Sequence, residues 1–249
     1  MKNVNSDIAY DHIRRKILSG EYPPGHQLMT KELSAEIGIS RTPVRDALRQ
    51  LEADGLVIIR AHLGANVKTM DWKEYREMCH LRLALETHAA GLAANNRTDA
   101  DLEEIRFTLE SMRKLTERII DATEEQPLIG DLVRDDVRFH IAIMTAAKCD
   151  LMKKEILRLH LINRVVSAAS PDVLKAVVEK AAQDTHRRAV LKSHEEIFQA
   201  IDSGDAAAAK LAMERHIQDI IDKNLRMMTR VVSGVLAREL TEDELSYTA

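Results

Sequence analysis

Two cysteines, Cys79 and Cys149, are all that the 249 residues contain. They form neither a Cys-x-x-Cys pair nor a disulfide framework, which excludes a stapled secreted scaffold and fits a reducing cytosol. No apolar run is long enough to cross a bilayer, and the opening residues Met1-Lys2-Asn3-Val4-Asn5-Ser6-Asp7 lack the apolar core of a signal peptide. Nucleophile motifs and glycine-rich phosphate loops are missing as well. After Asp71 turn residues are few, and no convincing run alternates apolar and polar residues as a strand does. The expectation is a cytoplasmic protein with no membrane partner, whose larger part is helical.

The formal charge of −4 is at first sight wrong for a nucleic-acid binder. It is segregated, however: residues 1–70 hold 10 Lys and Arg against 8 Asp and Glu, and the remainder holds 26 against 32. A mildly basic head on an acidic body is what a DNA-reading unit joined to a unit that does not touch DNA requires. The chain is long enough for two cores. The sequence predicts a head over 1–70, an all-α body over 71–240 and a frayed acidic tail over 241–249.

Within the head, Ser40-Arg41-Thr42-Pro43-Val44-Arg45-Asp46-Ala47-Leu48-Arg49-Gln50-Leu51 has two opposed faces if helical. Val44, Ala47, Leu48 and Leu51 form an apolar stripe at i, i+3, i+4 and i+7, while Arg41, Arg45 and Arg49 recur every four residues on the other side. Ser40 is placed to cap the helix, and Pro43 is tolerable in a first turn. Such a helix can lie in a DNA groove, where arginine suits the O6 and N7 edge of guanine and the helix N-terminus offers N–H groups to phosphate. Upstream, Leu28 to Ile37 reads as a short helix ended by Gly38 in a left-handed turn. Downstream, Asp54-Gly55 introduces Leu56-Val57-Ile58-Ile59, a tip at Gly64, and Ala65 to Lys68, a two-stranded hairpin. Together these describe a winged helix-turn-helix.

These residues resemble the GntR-type bacterial transcription regulators. The likeness rests on Ile13 to Gly25, Ser40 to Leu48, and Leu51-Glu52-Ala53-Asp54-Gly55-Leu56-Val57. It implies that Lys31, Arg41, Thr42, Arg45 and the wing glycine Gly64 touch DNA; Arg49 joins them through its place on the cationic face. The wing of that family usually has an arginine just before its glycine. Here that position is Leu63, with His62 or Arg60 as substitutes.

The body reads as helices over Trp72–Ala94, Asp99–Ala122, Leu128–Ala147, Leu151–Ala169, Leu174–Gln183, Val190–Ile201 and Ala206–Val232. In the third, an apolar stripe of Ile129, Leu132, Val133, Ile143, Met144 and Ala147 runs through Asp136 and His140, which are four residues apart and so share one face. His194 lies on a stripe with Leu191, Ile197, Phe198 and Ile201, and His216 on one with Met213, Ile217 and Ile220. Buried ionisable groups are costly unless paired or bound to metal. Asp136 and His140 can be an ion pair, or all four residues can share an ion. His80, His88, His160 and His186 show no such pattern and are read as structural or surface. Arg82 is a further inward charge, on a face with Tyr75, Met78, Cys79, Leu85, Ala89 and Leu92; its partner is either Glu86 at i+4 or a ligand carboxylate.

Asp136-Val137-Arg138-Phe139-His140, Ser193-His194-Glu195-Glu196-Ile197 and Glu214-Arg215-His216-Ile217 are similar to the three signatures of the FCD effector domain of FadR-type GntR regulators. That resemblance implies a metal held by Asp136, His140, His194 and His216, and an effector pocket faced by Arg82. One aspartate with three imidazoles suits Zn²⁺, Ni²⁺ or another borderline divalent ion, zinc being the first choice. The expected protein is a homodimeric, ligand-responsive regulator that binds a palindromic double-stranded DNA operator, a repressor sensing a small carboxylate. The alternative is a metalloenzyme using the Asp and His set, with Glu195 or Glu86 as base.

Overall fold

The computed structural model describes residues 4–60, 64–123, 125–167 and 180–236. Among them are nine helices and three short strands. The head opens with α1 (Val4–Ser19), which buries Ala9, Ile13 and Ile17 at four-residue spacing. They pack against α3 (Arg41–Ala53), whose buried line is Pro43, Val44, Ala47, Leu48 and Leu51. Between them α2 (Thr30–Ile37) ends at Gly38, which has φ +75° and donates its N–H to Ser34 O. Ser40 stands extended at the start of α3, yet its side chain makes no cap bond. The reason is local. A cap serine draws its bond from the N–H of the second or third helical residue, and the third is Pro43, which has none.

Strands β2 (Val57–Arg60) and β3 (Gly64–Val67) form the expected hairpin, with Val57 opposite Val67 and Arg60 opposite Gly64. A third strand, β1 (Gln27–Leu28), adds to the other edge of β3, so the order is β1-β3-β2. The expectation lacked β1, because two residues cannot show alternation. His62 and Leu63 lie outside the described residues.

The head is knotted by one carboxylate. Glu36 on α2 accepts from Lys16 Nζ at 2.5 Å, His12 Nε2 at 2.8 Å and Tyr22 Oη at 2.9 Å. The Lys16 bond first, then that of His12, lowers the Glu36 pKa from 4.5 to about 2. A carboxyl whose folded value is depressed contributes stability above its unfolded value and loses it as pH falls through the folded one. The head should therefore lose stability from about pH 4.5 down to about 2. Acid titration followed by circular dichroism should show a shallower loss over that window in Glu36→Gln; an unchanged slope would refute the role of this knot.

The body is built around α4 (Trp72–Asn96), which packs against α9 (Ala206–Leu236), α6 (Gln126–Ala146), α8 (Lys180–Ser203) and α7 (Asp150–Ser167); α5 (Asp99–Asp121) lies on α6 and α8. Capping boxes start α4 and α5: Asp71 and Glu74 exchange bonds with each other's backbone N–H groups, as do Thr98 and Asp101. Residues 180–203 form one helix, not the separate segments predicted on either side of residues 184–189. No glycine or proline interrupts that stretch, and Arg187 is pinned across it to Asp184 and to Glu125, each at 2.7 Å. Residues 168–179 and 237–249, including part of the predicted Leu174–Gln183 helix and the tail, lie outside the described residues. No helix among the described residues is long and apolar enough to cross a membrane.

Head and body meet at a seam. Gly55, just beyond α3, has φ +78°, and a Cβ there would come within 2.8 Å of Ile162 Cδ1 on α7. Beside it Asp54 accepts from Tyr10 Oη of α1 at 2.6 Å, so the far end of α3 is held by α1 and seated on α7.

Candidate metal centre and nucleic-acid interface

Three helices deliver the four polar residues that interrupt the apolar stripes. His140 comes from α6, His194 from α8 and His216 from α9, and they are 1%, 0% and 2% exposed. One inward nitrogen from each lies within 4.8 Å of the others. His140 Nε2 and His216 Nε2 are 3.3 Å apart, and His194 Nε2 is 3.1 Å from Asp136 Oδ1. Asp136 sits at the rim, its side chain about a third accessible. Val133, one turn before it, is exposed, contrary to its place on the predicted stripe. The stripe leaves the packed interior there, so Asp136 is reached from the solvent side.

The outward nitrogens fix the imidazole tautomers. Ser193 Oγ donates to Val190 O at 2.7 Å, so it accepts from His216 Nδ1–H at 2.8 Å. His194 Nδ1–H donates to the same Val190 O at 2.8 Å. His140 Nδ1 lies 2.7 Å from Glu86 Oε2, a short contact bent away from the N–H direction. Each imidazole thus turns Nε2 inward with its other nitrogen against an acceptor, the arrangement that orients histidine ligands. His194 Nε2 is buried and has no hydrogen-bond partner.

Electrostatics favour the ligating forms of His216 and Asp136, while at His140 an ion would have to displace a proton. Burial, then the neighbouring His194 and His140, push the His216 pKa well below its ordinary value, so the ring is neutral at pH 7. Desolvation works against the charged form of Asp136, but the contact with His194 first, and the nearby His140, outweigh it and hold the carboxyl below the usual range. Burial also opposes charge on His140, and the Glu86 carboxylate overcomes it, raising that pKa. A neutral imidazole and an ionised carboxylate are the forms that ligate metal. Two nitrogens bound at Zn–N distances of about 2.0–2.1 Å in a tetrahedron stand about 3.3–3.4 Å apart. The three imidazoles fit a tetrahedral divalent ion; Asp136 meets His194 but is not among the atoms lying within 4.8 Å of one another.

Behind this set lies a second layer. Glu86 on α4 is fully buried, with Oε1 accepting from Arg82 Nε at 2.8 Å and 3.3 Å from His160 Nε2. Burial works against its charge, and Arg82, then His140 and His160, hold its pKa well below the carboxylate range. Arg82 therefore has the i+4 partner considered above. Glu86 first, and then Asp136, favour the cationic form of Arg82 against its burial. His160, read from sequence as structural or surface, is 6% exposed and in contact with this layer. Ile156, one turn before it, and Leu159 are buried with it, so helical spacing could signal its burial but not its partner Glu86 on α4.

In the head, Arg41, Thr42, Arg45 and Arg49 of α3 and Lys31 of α2 are exposed, opposite the buried line of α3. Arg49 is held loosely, 3.6 Å from Asp46 Oδ1. Gly64 opens β3 at the wing, exposed and with φ +88°.

Comparison with known proteins identifies both parts. Residues 5–67 match the family described as "Bacterial regulatory proteins, gntR family", and residues 77–219 match the "FCD domain". The chain is 30% identical over 211 residues to the "Probable D-xylose utilization operon transcriptional repressor" of Paenarthrobacter nicotinovorans, covering 83% of each chain. It is 30% identical over 223 residues to the "HTH-type transcriptional regulator LutR" of Bacillus subtilis, covering 83% of this chain and 94% of the other. The fold is similar to that of E. coli McbR/YncC, with a TM-score of 0.66 at 20% identity, over 90% of this chain and all of the other. These relatives are regulators and give the metalloenzyme alternative no support. With a helix-turn-helix head matched at one end and an FCD effector domain at the other, the chain belongs to the GntR family of DNA-binding transcription regulators.

Proposed function

We propose that the protein is a cytoplasmic, homodimeric repressor that senses a small carboxylate through a metal-containing pocket in the body (71–240) and binds a palindromic operator with the head (1–70). The convergence of three inward imidazole nitrogens, with His194 and His216 hydrogen-bonded from behind, carries this reading. Asp136, His140, His194 and His216 would hold the ion, zinc by ligand chemistry with nickel as the other candidate, and the ion would supply a positive centre for an effector carboxylate. Arg82 would bind the same anion. Arg41, Arg45 and Arg49 would enter the major groove, with Thr42, Lys31 and the first-turn N–H groups on phosphate and Gly64 at the wing. Two heads related by a twofold axis match half-sites one helical turn apart.

The signal would pass along α4. Its Asp71 cap joins β3 through Lys68-Thr69-Met70, and Lys68 Nζ contacts Glu74 Oε1 at 3.2 Å. Displacing α4 would change the spacing of two heads on their operator. Titration of small mono- and dicarboxylates against operator affinity tests this: a typical coupling would change affinity about 5- to 150-fold. Arg82→Ala should abolish the response while leaving effector-free DNA binding and metal content near wild type. An active carboxylate whose effect survives in Arg82→Ala would remove Arg82 from the site.

For the head, Arg45→Ala should lose about 1 to 3 kcal/mol of operator affinity and relax specificity at one symmetric base pair. Lys31→Ala should weaken all sequences alike and flatten the salt dependence. Wild-type operator affinity in both, measured by fluorescence anisotropy at two salt concentrations, would contradict this assignment.

A further inference from the structure

Glu86 is 0% exposed, and its two oxygens serve different neighbours: Oε2 is 2.7 Å from His140 Nδ1, and Oε1 accepts from Arg82 Nε at 2.8 Å. We propose that Glu86 is a positioning residue shared by the metal ligand His140 and the anion-binding Arg82, so that it favours metal binding and opposes carboxylate binding at the same pocket. The inference rests on the metal-and-carboxylate reading given above.

Two consequences follow from the placement. Oε2 stands against Nδ1 while His140 Nε2 faces His216 Nε2, 3.3 Å away, so a small rotation that closes the bent Oε2–Nδ1 contact into a hydrogen bond would fix the direction of one ligand lone pair. Loss of such an outer partner typically costs 10- to 100-fold in metal affinity. On its other side Glu86 occupies the Nε edge of the guanidinium, and Arg82 Nη2 is 3.5 Å from His160 Nε2. An incoming carboxylate is denied the Nε–Nη2 fork and must use the Nη1–Nη2 end, against the charge of Glu86. Removing that charge without removing the side chain frees the guanidinium and lifts a like-charge repulsion, which at pocket distances is on the order of tenfold in affinity.

Glu86→Gln keeps the shape and removes the charge, and the two affinities should then move in opposite directions. Zn²⁺ affinity, measured by chelator competition, should fall about 10- to 100-fold. Acetate affinity at saturating Zn²⁺, measured calorimetrically, should rise on the order of tenfold. A loss of both, which mere damage to the fold would produce, overturns the proposal, as does unchanged affinity for either probe. A measurement on the unaltered protein stands beside the variant: in the Zn²⁺-loaded wild type, ¹⁵N–¹H spectra should place a proton on His140 Nδ1, and a proton on Nε2 instead would overturn the role of Glu86. A wild type that binds no Zn²⁺ overturns the pocket reading and this inference with it. A wild type that binds Zn²⁺ while Glu86→Gln responds otherwise than stated overturns the inference alone.

Discussion

His194→Ala should lower Zn²⁺ affinity about a hundredfold or more. Structural zinc sites with four protein ligands bind with about 10–16 kcal/mol, so one ligand accounts for roughly a quarter of that. His194 is the ligand with the fewest alternatives: its Nδ1 is committed to Val190 O, and its Nε2 is buried without a hydrogen-bond partner. Binding to the native state alone is linked to stability, and a hundredfold weaker site removes about 2.7 kcal/mol of the stabilisation that excess Zn²⁺ provides. In a domain of this size that is roughly 5–10 °C in Tm. The quantity to compare is the Zn²⁺-dependent shift, since the metal-free variant also leaves a void. His216→Ala should behave alike. Metal content is read by elemental analysis, and full occupancy in a chain carrying both Asp136→Ala and His140→Ala would refute the assignment.

Phe139→Ala should cost about 3 to 5 kcal/mol in urea unfolding, the range for emptying a phenylalanine site in a packed core. Phe139 is fully buried in a chain with few aromatic residues, and it stands edge-on to His194, with ring centroids 4.8 Å apart at 88°, and to His140, at 5.9 Å and 86°. It is the wall against which two candidate ligands are set. Phe139→Leu retains most of the volume and should cost less than half as much, yet still weaken Zn²⁺ binding, because no flat edge remains to hold the imidazoles upright. Equal Zn²⁺ affinity in Phe139→Leu and wild type would show that the ring only fills space.

What the sequence disclosed follows from helical period. Val44, Ala47, Leu48 and Leu51 are buried, and the arginines between them are exposed, because 3.6 residues per turn allows little else. The same argument brought His140, His194 and His216 inward, since a polar residue in an apolar stripe must be buried with it. The features it missed depend on facts outside one helix. His160 belongs to the site through the packing of α7 on α4, which spacing does not encode. The pairing of Gln27 with Asn66 is nonlocal. Val133 satisfied the period but lies where the bundle opens. The cap expected of Ser40 overlooked that the residue three ahead has no N–H to give.

The seam at Gly55 makes α3 a lever. Its 13 residues span about 20 Å, with the exposed Arg41 and Arg45 toward one end and Gly55 beyond the other. That rear end is clamped by Tyr10 and abuts Ile162, while at the front Arg41 and Thr42 are exposed. A displacement of α7 would therefore load the rear of α3 first, before α1, which packs along the same helix, takes it up. A side chain at position 55 would be strained at φ +78° and would press on the Cδ1 end of Ile162, loading that bearing while leaving every exposed arginine of α3 in place in the sequence.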